Sequence, residues 1–134
     1  MGYERLPSAA KLDGPSAAHL FFNDCFIQAD PTRETLWVAH VDRSRRCLYL
    51  DWFPGLEAQV DVSVREIVAQ ALEFESAGIV LSHNHPSGDA TPSFSDICFT
   101  RRLATSLEGL DCKVLDHLIL AGNDCTSFRR NGLL

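Results

Sequence analysis

Residues 83–96 read His-Asn-His-Pro-Ser-Gly-Asp-Ala-Thr-Pro-Ser-Phe-Ser-Asp. Their types and spacing suit metal chemistry. His83 and His85 stand two apart at the end of the apolar run Gly78-Ile79-Val80-Leu81-Ser82. In a strand, residues i and i+2 project from the same face, so both imidazoles can aim at one point. Pro86 and Gly88 then turn the chain. Asp96, eleven residues beyond His85, can return as a third, anionic ligand. Two imidazoles, one carboxylate and an open fourth position make the ligand set of a catalytic zinc; a structural zinc has all four positions closed by the protein.

Zinc held in this way lowers the pKa of a bound water from about 15.7 to about 7 and polarises the carbonyl that the water attacks. A general base must then take the water's proton and pass it to the leaving amine. A plainer reading of the same residues also exists. Histidines two apart recur by chance, and Ser93-Phe94-Ser95-Asp96 fits a capping pattern ahead of a helix carrying Ile97, Phe99, Leu103 and Leu107. The two roles of Asp96 are compatible, because a carboxylate oriented by a first helical turn can still face a site. The helix start also offers free N–H groups and the positive end of its dipole.

The stretch from His83 to Asp96 resembles the signature of the RadC-like JAB domains, part of the JAMM/MPN superfamily of zinc-dependent proteins. Val64-Arg65-Glu66-Ile67 before it extends the likeness, as do Thr100-Arg101-Arg102-Leu103 and Leu115-Asp116-His117-Leu118-Ile119 after it. The likeness runs from about residue 16 to about residue 130. It implies an α/β fold of JAB/MPN (cytidine deaminase-like) architecture, with a mixed β-sheet flanked by helices. It also implies Zn2+ on His83, His85 and Asp96, and hydrolysis of peptide or isopeptide bonds. In the superfamily the acid/base is a glutamate at the beginning of a core strand, and Glu34 occupies that place here. A serine three residues before the metal aspartate helps to hold the oxyanion, which points to Ser93; its plainer role is an N-cap. RadC-like chains often carry an acidic residue in the second strand of a hairpin, which makes Asp51 the alternative base. The fuller RadC-type proteins have an N-terminal helix-hairpin-helix region. No segment here is long enough for it, so the expectation is a stand-alone JAB domain.

Composition agrees with one compact unit. The chain has 134 residues, 46% hydrophobic and 22% charged, enough for a single core. Residues 1–15 are polar, contain Pro7 and Gly14, and read as a flexible segment ahead of one metal-binding domain at 16–134. No apolar run approaches the ~20 residues of a membrane span, and the start lacks a secretory pattern. The five cysteines, 25, 47, 98, 112 and 125, are odd in number and show no Cys-x-x-Cys spacing. They read as reduced, mostly buried thiols of a cytoplasmic protein. Cys98 could lie near the metal, though a core position fits its pattern better. The net charge of −6 argues against nucleic acid as a partner. The arginine pairs 45–46, 101–102 and 129–130 read as solvated ends of elements, giving the family's DNA-repair label no electrostatic support.

The remaining elements follow from periodicity. A helix is expected at 16–28 with Leu20, Phe21 and Cys25 inward. A strand at 34–42 and its hairpin partner at 47–53 come next. A short strand is expected at 58–62. Ser63 should then cap a helix with Glu66, bearing Ile67, Ala71, Leu72 and Phe74 on its apolar side and stopped by Gly78. The metal strand at 78–85, a helix at about 94–108, a strand at 113–121 and a short closing strand at 125–129 complete the order. Alternation places Asp116 and His117 on opposite faces, so one of them can support the metal site. A satisfied core or edge position is the expectation for His117. His19 and His40 receive no role. Two functional classes stand open: a zinc metallohydrolase, and a non-catalytic JAB-type module that binds a protein tail or serves as a scaffold. A metal-dependent nuclease linked to DNA repair, as in the RadC type, is a third reading, against which the acidic balance and the single-zinc ligand set argue.

Overall fold

The computed structural model describes residues 2–5, 10–55 and 60–134. Six strands form one mixed sheet in the order β1-β3-β2-β4-β5-β6. They are β1 (Gly2–Arg5), β2 (Thr35–Val41), β3 (Cys47–Pro54), β4 (Gly78–Asn84), β5 (Lys113–Ala121) and β6 (Asp124–Ser127). Helices α1 (Pro15–Ile27), α2 (Val60–Glu73) and α3 (Phe94–Leu107) flank the sheet. Among the described strands β4 and β5 run parallel, joined through α3, and the other neighbours are antiparallel.

β4 lies at the centre and is covered on both faces. Its residues Ile79 and Leu81 join Leu36, Val38 and Phe53 in a cluster that α2 and α3 close with Ile67, Phe99 and Leu103. Val80 points the other way, into a second cluster with Ala18 and Phe22 of α1. Fully burying one such side chain is worth about 1.5–3 kcal/mol. The register of β4 is therefore strongly fixed, since a slip of one residue would exchange its two faces. His83 continues the series Ile79, Leu81 and so emerges on the α2/α3 side. Its register partners are Leu36 of β2 and Ile119 of β5.

Several expectations need correction. Residues 1–15 are not wholly outside the fold: Gly2–Arg5 pairs along β3, and Leu12 is buried. In α1 Phe21 and Cys25 pack inward beside the buried Ala18 and Phe22, as expected, whereas Leu20 is 70% exposed. Of the strand expected at 58–62, residues 58 and 59 lie outside the described residues, and 60–62 open α2. Ser63 thus sits inside that helix rather than capping it. Val64, Ile67 and Ala71 are buried and recur with helical spacing; Leu72 is exposed. The helix ends before Glu75, which takes a positive φ of 52°. Gly78 does not stop α2 but starts β4, packed so closely that a Cβ there would lie 2.6 Å from Leu115 Cδ1. Cys98 is exposed rather than in the core. Among the described residues, no helix is long and apolar enough to cross a membrane.

Candidate metal centre

β4 delivers the two imidazoles. His83 is fully buried near the strand's end. The His85 N–H donates to Leu120 O at 2.9 Å, so the chain stays alongside β5 one residue past β4. That preserves the i, i+2 relation between the rings. Beyond His85 the chain turns at Gly88, whose φ of 88° suits a residue without a Cβ. α3 then supplies the third side chain. Ser93 caps this helix: its Oγ accepts the Asp96 N–H at 3.1 Å, and its own N–H donates to Asp96 Oδ2 at 2.8 Å. The capping box thereby orients the Asp96 carboxylate.

The three side chains meet. His83 Nε2 and His85 Nε2 are 2.9 Å apart. Asp96 Oδ1 lies 3.1 Å from His83 Nε2, and Oδ2 lies 3.1 Å from His85 Nε2. Tetrahedral zinc with ligands at about 2.0–2.1 Å sets its ligand atoms about 3.3 Å from one another. The triangle of donors is close to that size. His85 Nδ1 lies 2.7 Å from Asp89 O, and a carbonyl can only accept, so Nδ1 carries the hydrogen and Nε2 is bare. A bare nitrogen and a carboxylate facing one imidazole repel unless something positive sits among them. The donor set therefore fits a divalent cation. Burial, the largest influence on Asp96, pushes its carboxyl up. The polar groups around it, His83 and Ser93, outweigh it and hold the group below the usual carboxylate range.

A cleft of about 230 Å³ opens at this point, lined by Glu34, His85, Pro86, Ser87, Ser93 and Asp96, with Ser95 at its edge. The β2–β4 register pairs Leu36 with His83. Extending it by two residues sets Glu34 opposite His85, on the same face of the sheet. Asn84 holds that segment from the side: its Oδ1 accepts the Thr35 N–H at 2.8 Å and its Nδ2 donates to Arg33 O at 2.9 Å. A second groove of about 380 Å³ borders His85 on its other side, with Phe26, Pro31, Pro86 and Leu120 among its walls.

Asp51 is not brought to the cleft. It lies on β3 opposite Val38, one strand further from β4, and is 2% exposed. Its Oδ1 accepts the Trp52 N–H at 2.7 Å, and its Oδ2 accepts from Gln70 Nε2. Gln70 Oε1 in turn accepts from His40 Nε2, whose other nitrogen meets Ser76 Oγ at 2.8 Å. The carboxylate is thus committed to a buried network, and burial pushes its carboxyl up.

Sequence reasoning expected Asp116 and His117 to diverge, and they do. Asp116 accepts from Ser127 Oγ at 2.7 Å and from the Arg129 N–H at 3.1 Å. His117 meets the metal side, its Nε2 2.7 Å from His83 Nδ1. It is not merely a satisfied core residue, as its apolar surroundings in β5 suggested. Thr100 and Asn84 escaped notice. The only signal for Asn84 was a strand-averse residue placed between two ligands; Thr100 gave none, since a threonine inside a helix is commonplace.

The RadC-like JAB domain is matched over residues 12–133 of this chain. Two proteins of Escherichia coli (strain K12) are similar to it. UPF0758 protein YfjY is 46% identical over 82 residues, which is 61% of this chain and 51% of that protein. UPF0758 protein YkfG is 40% identical over 103 residues, 76% of this chain and 65% of that protein. The chain thus aligns with about half to two thirds of the length of these relatives. With a sheet of the expected mixed type, the His83–His85–Asp96 convergence and this match over nearly its whole length, the chain belongs to the RadC-like JAB domain family.

Proposed function

We propose that the chain is a zinc-dependent hydrolase of amide bonds, acting on a peptide, protein or isopeptide substrate in the cytoplasm. One observation carries the reading: the ligand atoms of His83, His85 and Asp96 all lie within 4.8 Å of one another, and His85 and Asp96 line a cleft that Glu34 also lines. Zinc, when bound there, supplies Lewis acidity toward water and toward a carbonyl. Glu34 takes a proton from the attacking water and returns it to the departing amine. The Ser93 hydroxyl donates to the carbonyl oxygen as that oxygen gains charge, a contact of a few kcal/mol at most. The groove on the other side of His85 offers apolar walls to residues flanking the cleaved bond. The net charge of −6 speaks against nucleic acid as substrate, and five cysteines, odd in number and without Cys-x-x-Cys spacing, suit a reducing compartment.

The experiment is elemental analysis of purified protein combined with a hydrolysis assay on quenched-fluorescent peptides and lysine-ε-linked isopeptides. Wild type is expected to hold about one zinc and His85→Ala none. Glu34→Gln is expected to keep zinc and lose hydrolysis by at least about a hundredfold. Absence of zinc from wild type would remove the metal reading. Bound zinc without cleavage of any probe would leave a non-catalytic JAB-type module that binds a protein.

A further inference from the structure

Asp96 and His83 meet along two routes, a direct approach of side chains and a chain of hydrogen bonds. The second route runs through Thr100 and His117, both fully buried. Thr100 Oγ1 donates to the main-chain carbonyl of Asp96 at 2.8 Å. The same oxygen lies 2.6 Å from His117 Nδ1. His117 Nε2 then lies 2.7 Å from His83 Nδ1.

The direction of each bond follows from the first. A hydroxyl carries one hydrogen, and a carbonyl carries none. With the Thr100 hydrogen given to Asp96 O, the bond to His117 must be made by Nδ1–H of His117. A neutral imidazole has one N–H, so His117 Nε2 is an acceptor. The hydrogen between the two histidines must therefore be the Nδ1–H of His83. His83 Nε2 is left bare and aimed at the convergence point, the same state in which Asp89 O holds His85. Run the other way, with Thr100 donating to His117, the chain of bonds would place a hydrogen on His83 Nε2 and block it as a ligand.

We infer that Thr100 and His117 are positioning residues for the metal, fixing His83 as the Nδ1–H tautomer through the main-chain carbonyl of Asp96. The inference rests on the metal reading above for its purpose, but not for its geometry. Helix α3 thus serves the site at two of its turns: the first supplies a ligand, and the next sets the tautomer of another ligand on β4. His117 also stacks on Phe128, ring centroids 4.6 Å apart at 22°, which restrains its plane. Hydrogen-bond partners of metal-bound histidines are generally worth 10- to 100-fold in metal affinity, by the usual range of about that size.

The test is 15N NMR of the histidine rings in zinc-free and zinc-loaded protein, with zinc affinity measured by chelator competition. Wild type is expected to show hydrogen on Nδ1 of both His83 and His117 in each form. A 15N–15N coupling across the hydrogen bond should join His83 Nδ1 to His117 Nε2. Thr100→Val keeps the volume and removes the hydroxyl; it is expected to mix the His117 tautomers and weaken zinc about tenfold or more. Thr100→Ser restores the hydroxyl and is expected to recover both readouts. Hydrogen on His117 Nε2 in the wild-type spectrum would overturn the inference, and needs no variant to fold. So would equal losses in Thr100→Val and Thr100→Ser, which would make the effect one of packing. A protein that shows these tautomers but takes up no zinc would sink the metal reading and leave the relay standing.

Discussion

Asn84 brackets Glu34 by gripping the peptide groups on either side of it, the Arg33 carbonyl at 2.9 Å and the Thr35 N–H at 2.8 Å. Asn84 stands between the two histidine ligands, yet its side chain faces away from theirs, across to the start of β2. The strand that carries the metal ligands thus also sets the placement of the proposed base. Misplacement of a reacting group by about 1 Å can cost about a hundredfold in rate. Asn84→Ala is therefore expected to lower kcat by about tenfold or more with zinc content and KM little changed. Asn84→Asp keeps the acceptor for Thr35 and should fall between. Steady-state kinetics beside elemental analysis check this; an unaltered kcat in Asn84→Ala would show that Glu34 needs no such clamp.

Asp51 was the alternative base in the sequence, and its buried bonds predict a different phenotype from that of Glu34. Asp51→Asn puts a donor against either the Trp52 N–H or the Gln70 amide. Leaving a buried donor unsatisfied costs about 1–3 kcal/mol. The variant should lose stability on that scale in urea titrations while retaining zinc and turnover. Loss of turnover at full stability and full zinc would return Asp51 to the mechanism.

Ser93 has two separable parts to play. As an N-cap, its replacement by alanine costs about 1 kcal/mol, and by glycine only a few tenths. Both changes remove the hydroxyl equally. Thermal denaturation should therefore rank Ser93→Ala well below Ser93→Gly. Turnover should fall alike in the two if the hydroxyl meets the developing oxyanion. Turnover that tracks stability instead would confine Ser93 to capping.

His40 is not part of the cleft, but it makes the fold sensitive to acid. Burial pulls its pKa from 6.5 down to about 4. Above about pH 6.5 it is neutral in both folded and unfolded chains and has no net effect. As pH falls from there to about 4, the unfolded chain binds the proton and the folded one resists it, so stability is lost across that window by about 3 kcal/mol. The groups facing the ring are Ser76 and Gln70, with Phe74 packed edge-on and Asp51 reached only through Gln70. His40→Gln cannot titrate. Urea unfolding at pH 7 and 4.5, on zinc-free protein, should show a smaller loss in the variant by about 2 kcal/mol. Equal losses would mean that His40 is not the group responsible.

The string from His83 to Asp96 was legible because its parts are local. A period of two sets both imidazoles on one face, a glycine permits the turn, and a serine three residues before an aspartate starts a helix; each rule acts within a few residues. The strand order along the chain was readable for the same reason. Errors gathered where local pattern and tertiary burial compete. Val60-Asp61-Val62 alternates like a strand, but the chain there follows the helix whose Val64, Ile67 and Ala71 pack under the sheet. Leu20 and Leu72 look like core residues and lie outside it.

The sequence by itself determined which atoms can hold a cation and which element carries each. It could not decide between Glu34 and Asp51, because both are carboxylates at the ends or within the strands of one hairpin. Sheet register separates them in space: Glu34 extends to the level of His85 and lines the cleft, whereas Asp51 stands opposite Val38, beside Gln70. Nor could the sequence reveal the bond between Thr100 and His117, which are seventeen residues apart, or the grip of Asn84 on a segment 49 to 51 residues earlier. Hydrogen bonds of that reach depend on which strands pair and how deeply a helix sits on them, and those distances exist only once the chain has closed on its core.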